Sequence, residues 1–179
     1  MSEGPRRSSM LRLLATTAVA LVVTTMYPVA ADATTLGAPS INDSHNAHRV
    51  RHNVKERARS QIGASYSYGG TAPRAFDCSG FTMWTFERLA NLPHNSTDQF
   101  NLAHRRGYKR IWKRNRLKVG DLVFHHTTSS RVGHAGIYVG NGHFISSTTS
   151  EGVRVRSLYD SYWGPRWVGA TRLPATQNS

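Results

Sequence analysis

Cys78 is the one cysteine in a chain of 179 residues that also holds nine histidines. It sits in Phe76-Asp77-Cys78-Ser79-Gly80, where a loop-like stretch gives way to a run carrying Phe81, Trp84, Phe86 and Leu89. That run predicts a helix over Ser79–Leu89, which places the thiol at a helix N-terminus. There the positive end of the macrodipole favours a thiolate. The unpaired N–H groups of the first turn, that of Ser79 among them, point towards an anion placed beside them. One position thus supplies a nucleophile and an oxyanion site, the two needs of acyl transfer. Asp77 opposes the thiolate by its charge and suits the helix N-cap. The competing reading of a lone cysteine is plain burial in the core.

A thiol nucleophile needs a base. His45, His48 and His52 lie in or beside polar, aperiodic sequence, His94 and His104 flank a predicted short helix, and His125 and His126 end a predicted strand. His134 follows Gly133 and opens Ala135-Gly136-Ile137-Tyr138-Val139. Its imidazole can therefore stand at a strand edge, among small residues, facing a helix N-terminus. On spacing alone a structural histidine is a close second. There is no metal-ligand spacing and no phosphate-cradling glycine loop, so neither a metal nor another cofactor is expected.

The elements that would hold these residues follow from periodicity. Val50, Val54, Ala58 and Ile62 recur every four residues before Gly63, predicting an amphipathic helix. Residues 64–77, with Gly69-Gly70 and Pro73, read as a loop. Ser96 and Gln99 have capping-box spacing for a short helix ending near Gly107. Leu122–His125, Ala135–Val139, His143–Ser147, Val153–Arg156 and Trp167–Arg172 read as strands. Asn141-Gly142 marks a hairpin between two of them. Helices first and an antiparallel sheet second make the class α+β. Asp160-Ser161-Tyr162-Trp163 and Trp167 read as aromatics closing the core near the last strand.

Residues 1–33 read as a signal peptide, with Arg6, Arg7 and Arg12 before an apolar run and Ala31-Asp32-Ala33 as the cleavage pattern. Threonines and Pro28 interrupt the run, which counts against a transmembrane anchor. Residues 34–49 read as a flexible linker, 50–174 as one domain and 175–179 as a tail. Secretion to the cell envelope is the expected localisation. The net charge of +13 favours an anionic partner. Much of it lies in His104–Lys118, where eight Lys or Arg alternate with Tyr108 and Trp112. For an exported protein that points to anionic wall polymers rather than nucleic acid. Nothing calls for a second copy, so a monomer is expected.

Five segments occur in order: Tyr66-Ser67-Tyr68-Gly69-Gly70; Phe76 to Phe81; Leu92 to Gln99; Gly120-Asp121-Leu122-Val123-Phe124; and Gly133 to Gly142. Together, over about residues 50–174, they resemble the NlpC-type cell-wall hydrolases, papain-like cysteine peptidases. The resemblance implies N-terminal helices packed on a five- to six-stranded antiparallel sheet. It implies cleavage of peptidoglycan stem peptides, typically between γ-D-glutamate and a diamino acid. By position Cys78 matches the nucleophile and His134 the base. Tyr66 matches a tyrosine near the oxyanion region, and Ser79 and Asp77 complete that side of the site.

The family's third polar residue, often histidine, falls here on Ser146. A two-residue turn at Asn141-Gly142 turns Ser146 away from His134, whereas a three-residue or bulged turn brings it onto the same face. We expect the second. A serine hydroxyl can accept from the imidazole N–H but brings no charge to stabilise imidazolium. That departure leaves one rival of another class, a catalytically weak or inactive wall-binding module.

Overall fold

Helix α1 (Ile41–Arg59) opens the part of the chain described by the computed structural model, residues 41–177. The proposed signal peptide lies outside the described residues. The helix starts within the stretch read as a linker, because Asp43 sits in its first turn and Ala47 continues the apolar stripe. Ala47, Val54 and Ala58 are buried, and Val50 packs on the same core. The helix ends before Ile62, which is exposed, and Gly63 turns the chain at φ +97°. Arg57 ties α1 to the next helix: its Nε donates to Trp84 O at 3.0 Å and its guanidinium lies 3.8 Å from the Trp84 ring centroid.

The stretch read as a loop contains three two-residue strands, β1 (Ser65–Tyr66), β2 (Thr71–Ala72) and β3 (Ala75–Phe76). They form a small sheet in the order β1-β3-β2. Strands this short carry no periodicity, which is why the sequence does not announce them. Helix α2 (Cys78–Phe86) follows directly, then α3 (Ser96–Asn101) with a 3-10 turn over Leu102–His104. The cap of α3 is Asn95, whose side chain accepts from Asp98 N, and not Ser96 as the spacing suggests. Gln99 is turned inward instead. Its buried amide donates to Ser79 O at 3.1 Å and Pro93 O at 2.8 Å, and accepts from Thr82 at 2.7 Å.

Six strands build the main sheet: β4 (Lys109–Ile111), β5 (Leu122–His125), β6 (His134–Gly140), β7 (His143–Thr148), β8 (Gly152–Ser157) and β9 (Trp167–Arg172). Their order is β4-β9-β5-β6-β7-β8, and every neighbouring pair is antiparallel. Strand β4 lies within the basic stretch; Ile111 pairs with Ala170 and packs against the sheet.

The alternation of each strand divides the core in two. Leu122, Phe124, Ala135, Ile137, Val139, Ile145 and Val153 face the helices, where they meet Phe81, Phe86 and Phe100. Val123, Phe144 and Ala170 face the other way and are covered by Leu158 and Trp163 from the β8–β9 connection. A buried ion pair braces the sheet: Arg172 Nε donates to Asp121 Oδ1 at 2.7 Å and Nη2 to Oδ2 at 2.8 Å. Among the described residues no helix is long and apolar enough to cross a membrane.

Candidate active site

The first turn of α2 is fixed by Asp77. Its Oδ1 accepts from Gly80 N at 2.6 Å and from Ser79 Oγ at 2.9 Å. Its Oδ2 accepts from Gly69 N at 3.0 Å and lies 2.7 Å from His94 Nε2. The residue is thus the N-cap and also the clasp between the Gly69-Gly70 loop, α2 and the segment before α3. No local pattern joins His94 to Asp77, so sequence reading assigns that histidine only to a helix flank. Gly80 lets the loop lie directly on the helix, since a Cβ there would stand 1.9 Å from Gly70 O.

This packing aims Cys78 at the start of β6. The N–H groups of Ala135, Ser79 and Cys78 itself are turned to the sulfur and favour its thiolate. Burial outweighs them, and with the nearby charge of Asp77 it holds the thiol above its ordinary pKa. The helix-end argument alone predicts a thiolate at rest. The folded site instead favours the protonated thiol. Tyr66 stands beside it, its phenol also pushed up, first by burial and then by the negative charge that Cys78 and Asp77 can carry.

His134 lines the same cleft as Cys78. The cavity, about 320 Å³, is lined by Tyr66, Cys78, Gly133, His134, Thr148 and Trp163, among others. The imidazole is 6 % exposed and lies against Trp163, with ring centroids 4.7 Å apart and planes inclined by 32°. Burial, reinforced by the positive charge of Arg156, lowers its pKa to about 3, so the imidazole is neutral at physiological pH. Trp163 therefore both closes the core, as its sequence suggests, and forms a wall of the cleft. Ser147, on the helix-facing side of β7, donates to Phe76 O at 2.7 Å and locks β7 to β3.

The turn at Asn141-Gly142 decides where Ser146 points. Gly140 pairs with His143, but beyond a bulge Tyr138 pairs with Phe144 and Ile137 with Ile145. Gly140, Asn141 and Gly142 all have positive φ, at 100°, 52° and 73°. The one-residue slip puts Ser146 opposite Gly136, on the His134 face. A Cβ on Gly136 would lie 3.1 Å from the Ser146 Cβ. Yet Ser146 Oγ and His134 Nε2 are both buried and neither has a hydrogen-bond partner. Ser146 shares the face without touching the imidazole nitrogen.

A helix-borne thiol and a strand-borne histidine around one cleft, on a six-stranded antiparallel sheet, define a papain-like α+β domain. Residues 63–172 match the NlpC/P60 family, and the chain belongs to it. Among its relatives are the probable endopeptidase YafL of Escherichia coli, 33 % identical over 137 residues, and the murein DD-endopeptidase MepH of the same species, 34 % identical over 142 residues. These alignments cover 73 % and 75 % of this chain but 53 % and 51 % of the relatives, so the chain spans about half their length. The crystal structure of the NlpC/p60 domain of the peptidoglycan hydrolase SagA superposes with a TM-score of 0.57 at 25 % identity, covering 69 % of this chain and 98 % of that one.

Proposed function

We propose that the chain is a secreted cysteine endopeptidase that hydrolyses peptidoglycan stem peptides, at the bond between γ-D-glutamate and a diamino acid. The observation that carries this reading is that Cys78 and His134 line one cleft, with the N–H of Ala135, next to His134, turned to the sulfur. Membership of the family and relatives named as endopeptidases support it.

In the proposed mechanism His134 takes the proton of Cys78 as the sulfur attacks the peptide carbonyl carbon. The tetrahedral oxyanion is held by the N–H groups at the start of α2, with Tyr66 beside it. Collapse of the intermediate breaks the C–N bond, and the proton on His134 passes to the leaving amine. Water, deprotonated by His134, then attacks the thioester and returns free Cys78 and a carboxylate product. Because the resting pair is neutral, proton transfer belongs to the attack step itself. The basic stretch 104–118 suits anionic wall polymers, which would keep the enzyme at its substrate.

Mass analysis of fragments released from peptidoglycan tests the reading. Wild-type protein should release products cut after γ-D-glutamate, and Cys78→Ala should release none while still sedimenting with walls. Products cut only at a cross-link would overturn the bond assignment. Wall binding without any release would make the chain a binding module.

A further inference from the structure

Seven buried side-chain nitrogen or oxygen atoms among the described residues have no hydrogen-bond partner, and five of them belong to one cluster. They are both ring nitrogens of His125, Nε2 of His134, Oγ of Ser146 and Nε of Arg156. The cluster spans β5 to β8 on the face away from the helices. His125 is paired with His134 across the β5–β6 ladder, and Arg156 with Phe144 across β7–β8. Trp163 roofs it, with its ring 4.7 Å from His134, 5.0 Å from His125 and 5.8 Å from the Arg156 guanidinium carbon.

An orphaned buried polar atom costs about 1–3 kcal/mol, so five at one spot require an explanation. Core packing does not supply one for His125. It is fully buried and stacks on Phe144 at 4.8 Å and 24°, a place that a phenylalanine would fill without two unpaired nitrogens. The rings of His125 and His134 are 6.4 Å apart, too far for a direct bond and within reach of one bridging water. Buried waters typically satisfy about three such groups.

We infer that His125 is a positioning residue for the base: with Ser146 and Arg156 it holds a buried water that accepts from His134 Nε2–H. The inference rests on the proposed role of His134. For Nδ1 to accept the thiol proton, the neutral ring must carry its hydrogen on Nε2, and that nitrogen is the one buried without an acceptor. The water supplies the acceptor, donating onward to Ser146 Oγ and to the unprotonated nitrogen of His125. Arg156 Nε–H can fill its remaining lone pair, so four of the five orphaned atoms gain a partner. The imidazole on β5 thus compensates for a serine at the β7 position.

The test compares wild type with His125→Phe, which keeps the stack on Phe144 and Trp163, and with His125→Gln, which restores a polar group. On a defined stem peptide His125→Phe should lower kcat about 10- to 100-fold with KM within about twofold, and His125→Gln should recover part of the loss. Ring-nitrogen NMR of labelled histidine gives a readout without substrate. His134 should be a single Nε2–H tautomer in wild type and a mixture in His125→Phe. Unchanged kcat and an unchanged His134 tautomer in a folded His125→Phe protein would overturn the inference. If the wild type cleaves no peptide, the proposed function fails, while the tautomer still decides whether His125 sets His134.

Discussion

His94 Nε2 lies 2.7 Å from Asp77 Oδ2, so the residue that caps the Cys78 helix is itself held by an imidazole from the segment before α3. The same carboxylate accepts from Gly80, Ser79 and Gly69. Removing it by Asp77→Ala should cost about 2–4 kcal/mol, through loss of the cap and of the buried partners, read from chemical denaturation. Asp77→Asn keeps the cap and removes the charge that opposes the thiolate. Its alkylation by iodoacetamide should rise at lower pH than in wild type; an unshifted profile would show that Asp77 has no electrostatic hold on Cys78.

Glycine is required at position 80 for contact and at 69 only for conformation. A Cβ at Gly80 meets Gly70 O at 1.9 Å, whereas Gly69, at φ +72°, has nothing within 4 Å. Gly80→Ala should displace the loop and reduce peptide cleavage by about 100-fold or more, since small misplacements at a site cost that much. Gly69→Ala should lose about 1 kcal/mol of stability and keep most activity. Equal effects of the two substitutions would contradict this packing.

Two neutral buried histidines make the fold acid-sensitive. The groups facing them are His134 and Arg114 for His125, and Arg156 for His134, and each adds to burial in lowering the imidazole pKa. A lowered folded pKa means that the unfolded chain binds more protons below its ordinary value of about 6.5. Stability is therefore full above that pH and is lost as pH falls towards the folded value of about 3 for His134. From pH 6.5 to 5 each histidine should cost about 2 kcal/mol. Thermal melts should fall by at least about 5 °C over that interval, and by clearly less in His125→Phe.

Ser146 shares the His134 face without contacting Nε2, so on the proposed mechanism its loss removes a remote support of the base. Ser146→Ala should lower kcat about 3- to 10-fold with little change in KM, the scale of one hydrogen bond. A loss of 1,000-fold or more would instead place Ser146 in direct contact with His134 during reaction.

The basic stretch makes a separate claim about targeting. Raising salt from about 0.1 to about 1 M cuts the screening length from about 10 to about 3 Å. Sedimentation with isolated walls should weaken over that range, while cleavage of a short soluble peptide should change little. Salt-independent wall binding would remove charge as the basis of attachment.

Five of the six strands of the main sheet, and the helix that carries Cys78, are legible in the sequence. Alternation, turn residues and an apolar run are local signals, and they report local structure. They fail where elements are too short to show a period, as in β1 to β3, or where the polar start of α1 hides a stripe that begins at Ala47. The chemical types of Cys78 and His134 and their order along the chain were likewise determined by sequence alone. Their protonation was not. A helix N-terminus argues for thiolate and the adjacent charge of Asp77 argues against it, both local features, but it is burial that tips the balance, and burial depends on packing between distant segments. The side on which Ser146 lies was decided by one bulged residue in a turn, because a slip of one residue inverts every side chain of a strand. His125 shows the same limit most clearly. In sequence it merely ends a strand, and only the pairing of β5 with β6 under Trp163 sets it beside His134.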